Sequence, residues 1–202
     1  MEIKRELLLN RLLDLRHNKM IKVVTGMRRC GKSYLLFNLF SDALEAEGVD
    51  EQHIIKINLE DRRNKALRDP DKLLEYIDSR LQDDKMHYIL LDEVQLVSEF
   101  EDVLNSYLQV ENADVYVTGS NARFLSKDVI TEFRGRGFEV RVHPLSFQEL
   151  RGAFQEEPIE QLWVKYMTFG GLPQVVTMTS DKERVAYLKS LFKHTYLKDI
   201  KE

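Results

Sequence analysis

Eight residues near the start of the chain, Gly26-Met27-Arg28-Arg29-Cys30-Gly31-Lys32-Ser33, restrict its architecture more than any other stretch. They fit G-x-x-x-x-G-K-[ST], a spacing that wraps backbone around a phosphate. Gly26 and Gly31 permit positive φ and a close approach of the main chain. The intervening residues Arg28, Arg29 and Cys30 then turn successive N–H groups inward as an anion nest. A helix that opens at about Lys32 adds the positive end of its dipole. Lys32 supplies a point charge for β- and γ-phosphates, and Ser33 a hydroxyl where Mg²⁺ would sit. With Tyr34 in the first helical turn, Gly26 to Tyr34 is the candidate phosphate-binding segment.

The flanks supply the strand–loop–helix setting that such a loop needs. Ile21-Lys22-Val23-Val24-Thr25 reads as a buried strand, and the run from Lys32 to about residue 46 as a helix. Further strands are expected at 53–59, 88–91, 115–118 and 138–142. Helices are expected at about 69–82 and 99–109, with a short one after Asn121. Tyr88-Ile89-Leu90-Leu91 is almost wholly apolar, as a parallel strand covered on both faces requires. Residues 3–17 place Ile3, Leu7, Leu8, Leu12 and Leu15 at helical spacing ahead of the first strand. The alternation implies a parallel α/β sheet with helices on both faces and right-handed crossovers.

After His143-Pro144-Leu145 the pattern becomes helical. Ser146 can cap a helix through Leu150, a second covers about 158–169, and a last one about 181–200. The expected division is a core over 1–145, including the N-terminal helix, and a helical lid over 146–202. The abrupt stop at Lys201-Glu202 implies a natural protein that continues into a further region.

The chain has 202 residues, enough to bury a sizeable core without staples. Its 30 basic and 34 acidic residues give a net charge of −4, so no overall positive excess points to nucleic acid. The local cluster Arg62, Arg63, Lys65 and Arg68 reads as a solvated loop rather than a DNA patch. A single cysteine, a charged N-terminus and the lack of any 18-residue apolar run fit a cytoplasmic protein with no membrane span.

A second acidic motif reinforces the first. Asp92 and Glu93 end the apolar strand at Leu90-Leu91, about 60 residues after the loop. Asp92 would hold Mg²⁺ with Ser33, and Glu93 would orient and deprotonate an attacking water. In so apolar a segment both carboxylates are expected to lack protein partners.

In their order, the phosphate-binding loop, Leu90-Leu91-Asp92-Glu93-Val94-Gln95, Thr118-Gly119-Ser120-Asn121, Arg134-Gly135-Arg136 and Pro144-Leu145-Ser146-Phe147-Gln148-Glu149 resemble AAA+ ATPases among P-loop NTPases. More narrowly, from about Lys4 to Asp199 the chain resembles a bacterial and archaeal family of AAA+ ATPases with a variable, nuclease-like C-terminal domain. The resemblance implies a five-stranded AAA+-like parallel sheet and ATP with Mg²⁺ as cofactors. It also implies a homo-oligomer in the full-length form, with a DNA or protein partner open. Asn121 matches the sensor-1 position, with Ser120 as fallback, and Arg136, or else Arg134, matches the arginine finger. Two departures stand out. Gly170-Gly171-Leu172-Pro173-Gln174 lacks the sensor-2 arginine of many lids, and Asp61-Arg62-Arg63-Asn64 is polar where threading ATPases carry an aromatic pore loop.

Cys30 reads as a small filler whose backbone N–H matters, although a helix N-terminus would lower its thiol pKa. His17, His53, His87, His143 and His194 show no metal-ligand spacing. Three functions compete: an ATPase that moves an attached domain, a slow-turnover nucleotide switch, and a P-loop kinase. The Asp92-Glu93 pair suits water activation better than transfer to an acceptor.

Overall fold

The computed structural model describes residues 3–119, 133 and 135–193. Asn121, Ser120, Arg134, His194, the expected short helix after Asn121 and the last turns of the final helix lie outside the described residues.

Five parallel strands form one sheet: β1 (Ile21–Thr25), β2 (Ile54–Asn58), β3 (His87–Asp92), β4 (Ala113–Thr118) and β5 (Gly137–Arg141). Their order is β2-β3-β4-β1-β5, which puts the strand before the phosphate-binding loop between β4 and β5. Alternate side chains along each strand go to opposite faces. Val23, Ile89, Leu91 and Val117 join a core under helices α4 (Pro70–Asp78) and α5 (Phe100–Tyr107). Val24, Tyr88, Leu90 and Tyr116 join the other core, under α1 (Glu6–Asp14) and the helix that follows the loop. Both faces are covered, so β3 is buried along its whole length. The expected α/β sheet is therefore the one observed.

The helix after the loop runs without a break but changes its winding. It opens as α2 (Lys32–Tyr34), passes through a π-helical stretch, Leu35–Phe40, and ends as α3 (Ser41–Ala46). Helix α4 starts as its sequence dictates, with Pro70 in the first turn and the Asp69 carboxylate accepting from Lys72 N–H. It stops at Asp78, short of the expected 82, although Leu81 still packs on the core.

Beyond β5 the chain forms α6 (Phe147–Ala153), α7 (Ile159–Phe169), the short α8 (Pro173–Val176) and α9 (Asp181–Leu191). Ser146 caps α6 in a capping box with Glu149. The short helix α8 is absent from the sequence pattern. It lies in the stretch that Gly170-Gly171-Leu172-Pro173 marks as a break. Gly171 is needed there because a Cβ would lie 1.9 Å from Leu145 O, and Leu145 N–H donates to Gly171 O at 2.7 Å.

Candidate nucleotide site

Gly26 turns out of β1 with φ +144, and a Cβ there would sit 2.2 Å from Val142 O. Only glycine allows that approach, which folds the loop back against the end of β5. Gly31 takes φ +98 immediately before the helix. Arg29 takes φ +65, uncommon for a residue with a side chain. The first turn from Lys32 leaves its N–H groups without intrahelical acceptors, turned toward the loop. Lys32 is 4 % exposed, and its ammonium donates to Gly26 O at 3.0 Å and to Met27 O at 3.3 Å. The lysine thus closes the loop on itself and keeps its charge at the centre.

Ser33 Oγ donates to Asp92 Oδ1 at 2.8 Å. Thr118 Oγ1 donates to the same oxygen at 2.5 Å and accepts from Glu93 N–H at 3.0 Å. Asp92 therefore has two hydroxyl donors, which corrects the expectation that it lacks partners. The cause is register. Leu91 pairs with Val117, so Asp92 and Thr118 end adjacent parallel strands at the same level. Burial pushes the Asp92 carboxyl above its ordinary range, and the Thr118 and Ser33 hydroxyls partly offset this.

Glu93 takes φ +57, which ends the strand sharply. It lines the cavity, and one of its carboxylate oxygens accepts from Gln95 Nε2. The expectation that both acidic groups lack partners fails for Glu93 as well.

A raised carboxyl in the folded state sets the sign of a pH effect. The fold favours protonated Asp92, so this contribution is fully present at low pH and lost as pH rises through the raised value. At neutral pH the buried carboxylate is a cost that a bound cation would offset. Asp92→Asn keeps the acceptor for Ser33 and Thr118 and removes the charge. It should raise the melting temperature of the nucleotide-free protein at pH 7–8, at about 2–4 °C per kcal/mol relieved. The gain should shrink as pH falls and vanish below the ordinary carboxylate value, at about pH 3. Scanning calorimetry at the two pH values checks this, and an Asp92→Asn variant that melts lower at both would show that the charge itself is stabilising.

The phosphate-binding loop opens onto a cavity of about 710 Å³. Arg28, Arg29, Gly31, Lys32, Ser33 and Tyr34 line one wall, Glu93 and Gln95 the next, and Glu60 with Arg68 a third. Pro173, Gln174 and Tyr187 come from the C-terminal helices and form the roof. Arg68 donates to Leu59 O and Glu60 O, which shapes the β2–α4 connection. Arg63 is spent on Asp61, whose carboxyl it holds down at about 2. Two of the three arginines of that basic cluster, Arg63 and Arg68, thus serve their own loop.

Pro173 closes over the loop, its Cγ 3.6 Å from where a Gly31 Cβ would be. Arg29 reaches the roof from below and donates to Tyr187 Oη at 3.0 Å. Cys30 is fully buried, with Sγ 3.4 Å from Val142 O. Burial raises its thiol pKa, opposite to the lowering expected from a helix N-terminus. It fills the core and leaves only backbone to the loop.

Sequence reasoning missed two residues. Thr118 carries the signal of a hydroxyl at a strand end, readable once β4 is placed beside β3. Arg5, 5 % exposed, donates to Cys30 O at 3.1 Å, His143 O at 2.8 Å and Glu149 Oε1 at 2.9 Å. One guanidinium therefore joins the N-terminal segment, the phosphate-binding loop, the exit of β5 and α6. Its partners lie 25 to 144 positions away, so no local pattern announces it.

Arg136 is exposed and precedes β5, far from the loop in its own chain. Its carbonyl accepts from Ile21 N–H at 2.8 Å, at the opposite end of β1 from Gly26.

A family model described as "AAA domain" matches residues 18–151. A Haemophilus influenzae protein, described only as uncharacterized, is 32 % identical over 203 residues, covering 98 % of this chain and 50 % of its own length. A Methanocaldococcus jannaschii protein, also uncharacterized, is 26 % identical over 195 residues, covering 90 % of this chain and 42 % of its own length. The chain thus spans about half the length of the curated relatives it matches. Among solved structures, a Walker-type ATPase of Pyrococcus abyssi superposes with a TM-score of 0.60 at 20 % identity, over 87 % of this chain and 65 % of that one. The Aeropyrum pernix ORC1 protein, solved in complex with DNA, superposes with a TM-score of 0.51 at 15 % identity, over 77 % and 49 %. At these identities the two structures speak to the fold alone.

Proposed function

Because the chain belongs to the AAA-domain family, as the match over residues 18–151 shows, we propose that it binds ATP with Mg²⁺ in the cavity above Lys32 and hydrolyses it. We further propose that it uses the nucleotide state to move an attached C-terminal region. The observation that carries this reading is the convergence of Ser33, Thr118 and Asp92 beside Lys32 and Glu93 at one cavity. These residues fit the cation that the family implies. Ser33 and Asp92 already meet at 2.8 Å, and Asp92 is a buried carboxylate whose charge is only partly compensated. Ser33 and Asp92 would hold Mg²⁺, and the cation would supply charge neutralisation for phosphoryl transfer. Lys32 would leave the loop carbonyls for the β- and γ-phosphates. Glu93 would accept a proton from water, on a backbone that Thr118 holds in place.

The choice of ATP follows the family. Coupling is supported by the roof, since Arg29 of the loop and Tyr187 of α9 are in direct contact. Phosphate in the loop competes for Arg29 and so can loosen or reset that contact. A slow-turnover binding switch is the second reading, favoured by Pro173 standing where a phosphate-sensing arginine is absent. Single-turnover phosphate release without an acceptor separates it from a working ATPase and from a kinase.

The first test is Lys32→Ala. A charge-assisted contact of this kind is worth about 2–3 kcal/mol, so ATP affinity should fall about 30- to 150-fold. Calorimetric titration with ATP and Mg²⁺ reads it. Undiminished affinity in a variant shown to be folded would remove the nucleotide from this loop.

A further inference from the structure

At the opposite end of the sheet from the nucleotide cavity, three side chains meet that neither the family match nor the proposed ATPase uses. His53 ends a 3-10 turn, Glu51–His53, just before β2. His87 is the first residue of β3, and Asp83 lies in the connection between α4 and β3. The two imidazoles are 3 % and 1 % exposed, with centroids 4.8 Å apart edge to face. Asp83 is exposed and faces both. His53 Nε2 lies 3.1 and 3.0 Å from its two oxygens, and His87 Nε2 lies 3.9 Å from Oδ1. One donor atom from each residue falls within 4.8 Å of the others. We propose that His53, Asp83 and His87 form a zinc-binding site with solvent in the fourth position.

Three observations carry this. The first is donor chemistry. Two imidazoles and one carboxylate are the nitrogen and oxygen set that Zn²⁺ takes, with bonds of about 2.0–2.2 Å. Tetrahedral ligands at that length stand roughly 3.3–3.5 Å apart. The two Asp83–imidazole separations, 3.0 and 3.9 Å, bracket this value, and the three ligand atoms lie within 4.8 Å of one another, so binding would draw the two rings and the exposed Asp83 together.

The second is the state of His87. Its Nδ1 is buried with no hydrogen-bond partner among the described residues, and its Nε2 is too far from Asp83 for a hydrogen bond. An ion would give Nε2 the partner it lacks, while Nδ1 would stay without one. The gap between His87 and Asp83 is too wide for direct bonding and the right scale for an ion between them.

The third is support around the ligands. Asp50 Oδ2 lies 3.7 Å from His53 Nδ1, in position to orient that ring. Asp83 accepts from Lys85 N–H at 2.9 Å, and its carbonyl accepts from Asn112 Nδ2 at 2.7 Å, so its backbone is fixed. Lys85 Nζ, 3.4 Å from Asp50, is the nearby cation and is occupied there.

The site is independent of the proposed Mg²⁺ position. His87 and Asp92 are five residues apart along β3, about 16 Å in an extended strand. A metal at His53, Asp83 and His87 would staple the starts of β2 and β3 to the connection between them.

The test uses the whole chain, freed of metal by chelator and titrated with Zn²⁺ or Co²⁺ in excess Mg²⁺. One equivalent should bind, Co²⁺ should give visible absorption of an imidazole-ligated ion, and Zn²⁺ should raise the melting temperature. Asp83→Asn, an exposed change that leaves the packing intact, should weaken Zn²⁺ binding at least 10-fold and abolish the thermal response. His53→Gln should do the same. A parent that takes up no stoichiometric zinc overturns the proposal, as does folded Asp83→Asn that keeps the parent's affinity.

Discussion

Mixing Arg136→Ala protein with Glu93→Gln protein should restore ATP hydrolysis that neither shows alone. The geometry supplies the reason. The Arg136 carbonyl accepts from Ile21 N–H, where β1 begins, and the phosphate-binding loop leaves β1 where it ends. Five extended residues separate the two levels, about 16 Å, beyond the reach of an arginine side chain. An exposed arginine so placed cannot serve its own nucleotide, but it can serve a neighbour's in a heterologous ring or filament. An arginine finger is worth about 10³–10⁵ in rate. Arg136→Ala alone should therefore lose at least three orders of magnitude in turnover and keep ATP affinity. Mixed assemblies contain interfaces that join an intact Glu93 site to an intact Arg136, and those should turn over. Sedimentation shows whether subunits assemble and exchange, and phosphate release reads the activity. Variants that co-assemble and never regain activity would remove Arg136 from the trans site, and Arg134 would be tested in the same way.

Glu93→Gln by itself is expected to bind ATP and Mg²⁺ about as the parent does and to hydrolyse at least about 100-fold more slowly, the scale of general-base catalysis. Glutamine keeps the shape at φ +57 and the N–H donated to Thr118, so the site should hold its form. What it loses is a proton acceptor. Pre-steady-state phosphate release separates the two effects, because binding is read by fluorescence or calorimetry and chemistry by the burst. Turnover equal to that of the parent would mean that Glu93 positions the site without accepting the proton. The variant is also a trap for the nucleotide-bound state, in which the Arg29–Tyr187 contact can be followed by hydrogen exchange in α9. An Asp92 variant makes the useful contrast. It should lose cation-dependent binding, whereas Glu93→Gln should keep binding and lose chemistry.

The two variants probe parts of the site that differ in how plainly they are written. Lys32, Ser33, Asp92 and Glu93 are readable because their chemistry depends on contiguous residues. A loop that wraps a phosphate needs glycine, lysine and hydroxyl at set intervals on one turn of chain. An acidic pair at the end of an all-apolar strand stands out against its neighbours. The sheet is readable for a similar reason, since a strand buried on both faces must be apolar along its middle, and β3 is, from Ile89 to Leu91.

Expectation and structure part where packing outvotes local preference. Helix α4 ends at Asp78 although the periodic apolar pattern runs on to Leu81. The helix dipole would act on Cys30 from close by, yet its thiol points into the core against Val142, where desolvation dominates. Asp92 stands alone in the sequence, and the parallel register puts Thr118 beside it.

The sequence by itself determined the glycine-flanked loop from Gly26 to Ser33, the strand before it, the acidic strand end and the succession of strands and helices. All of these rest on interactions within a few residues. Only the tertiary structure decided the strand order β2-β3-β4-β1-β5, and with it every contact between distant positions. Thr118 reaches Asp92 because β4 lies beside β3, and Arg5 reaches Cys30, His143 and Glu149 because the start of α1 lies against the loop. His53 meets His87 because β2 and β3 start at the same edge of the sheet. In each case the chain closes a long loop to bring two polar groups together, at a cost in chain entropy that the buried apolar faces offset as a whole. That cost and that gain belong to the folded sheet and to no segment of it, which is why these contacts appear only when the strands are assembled.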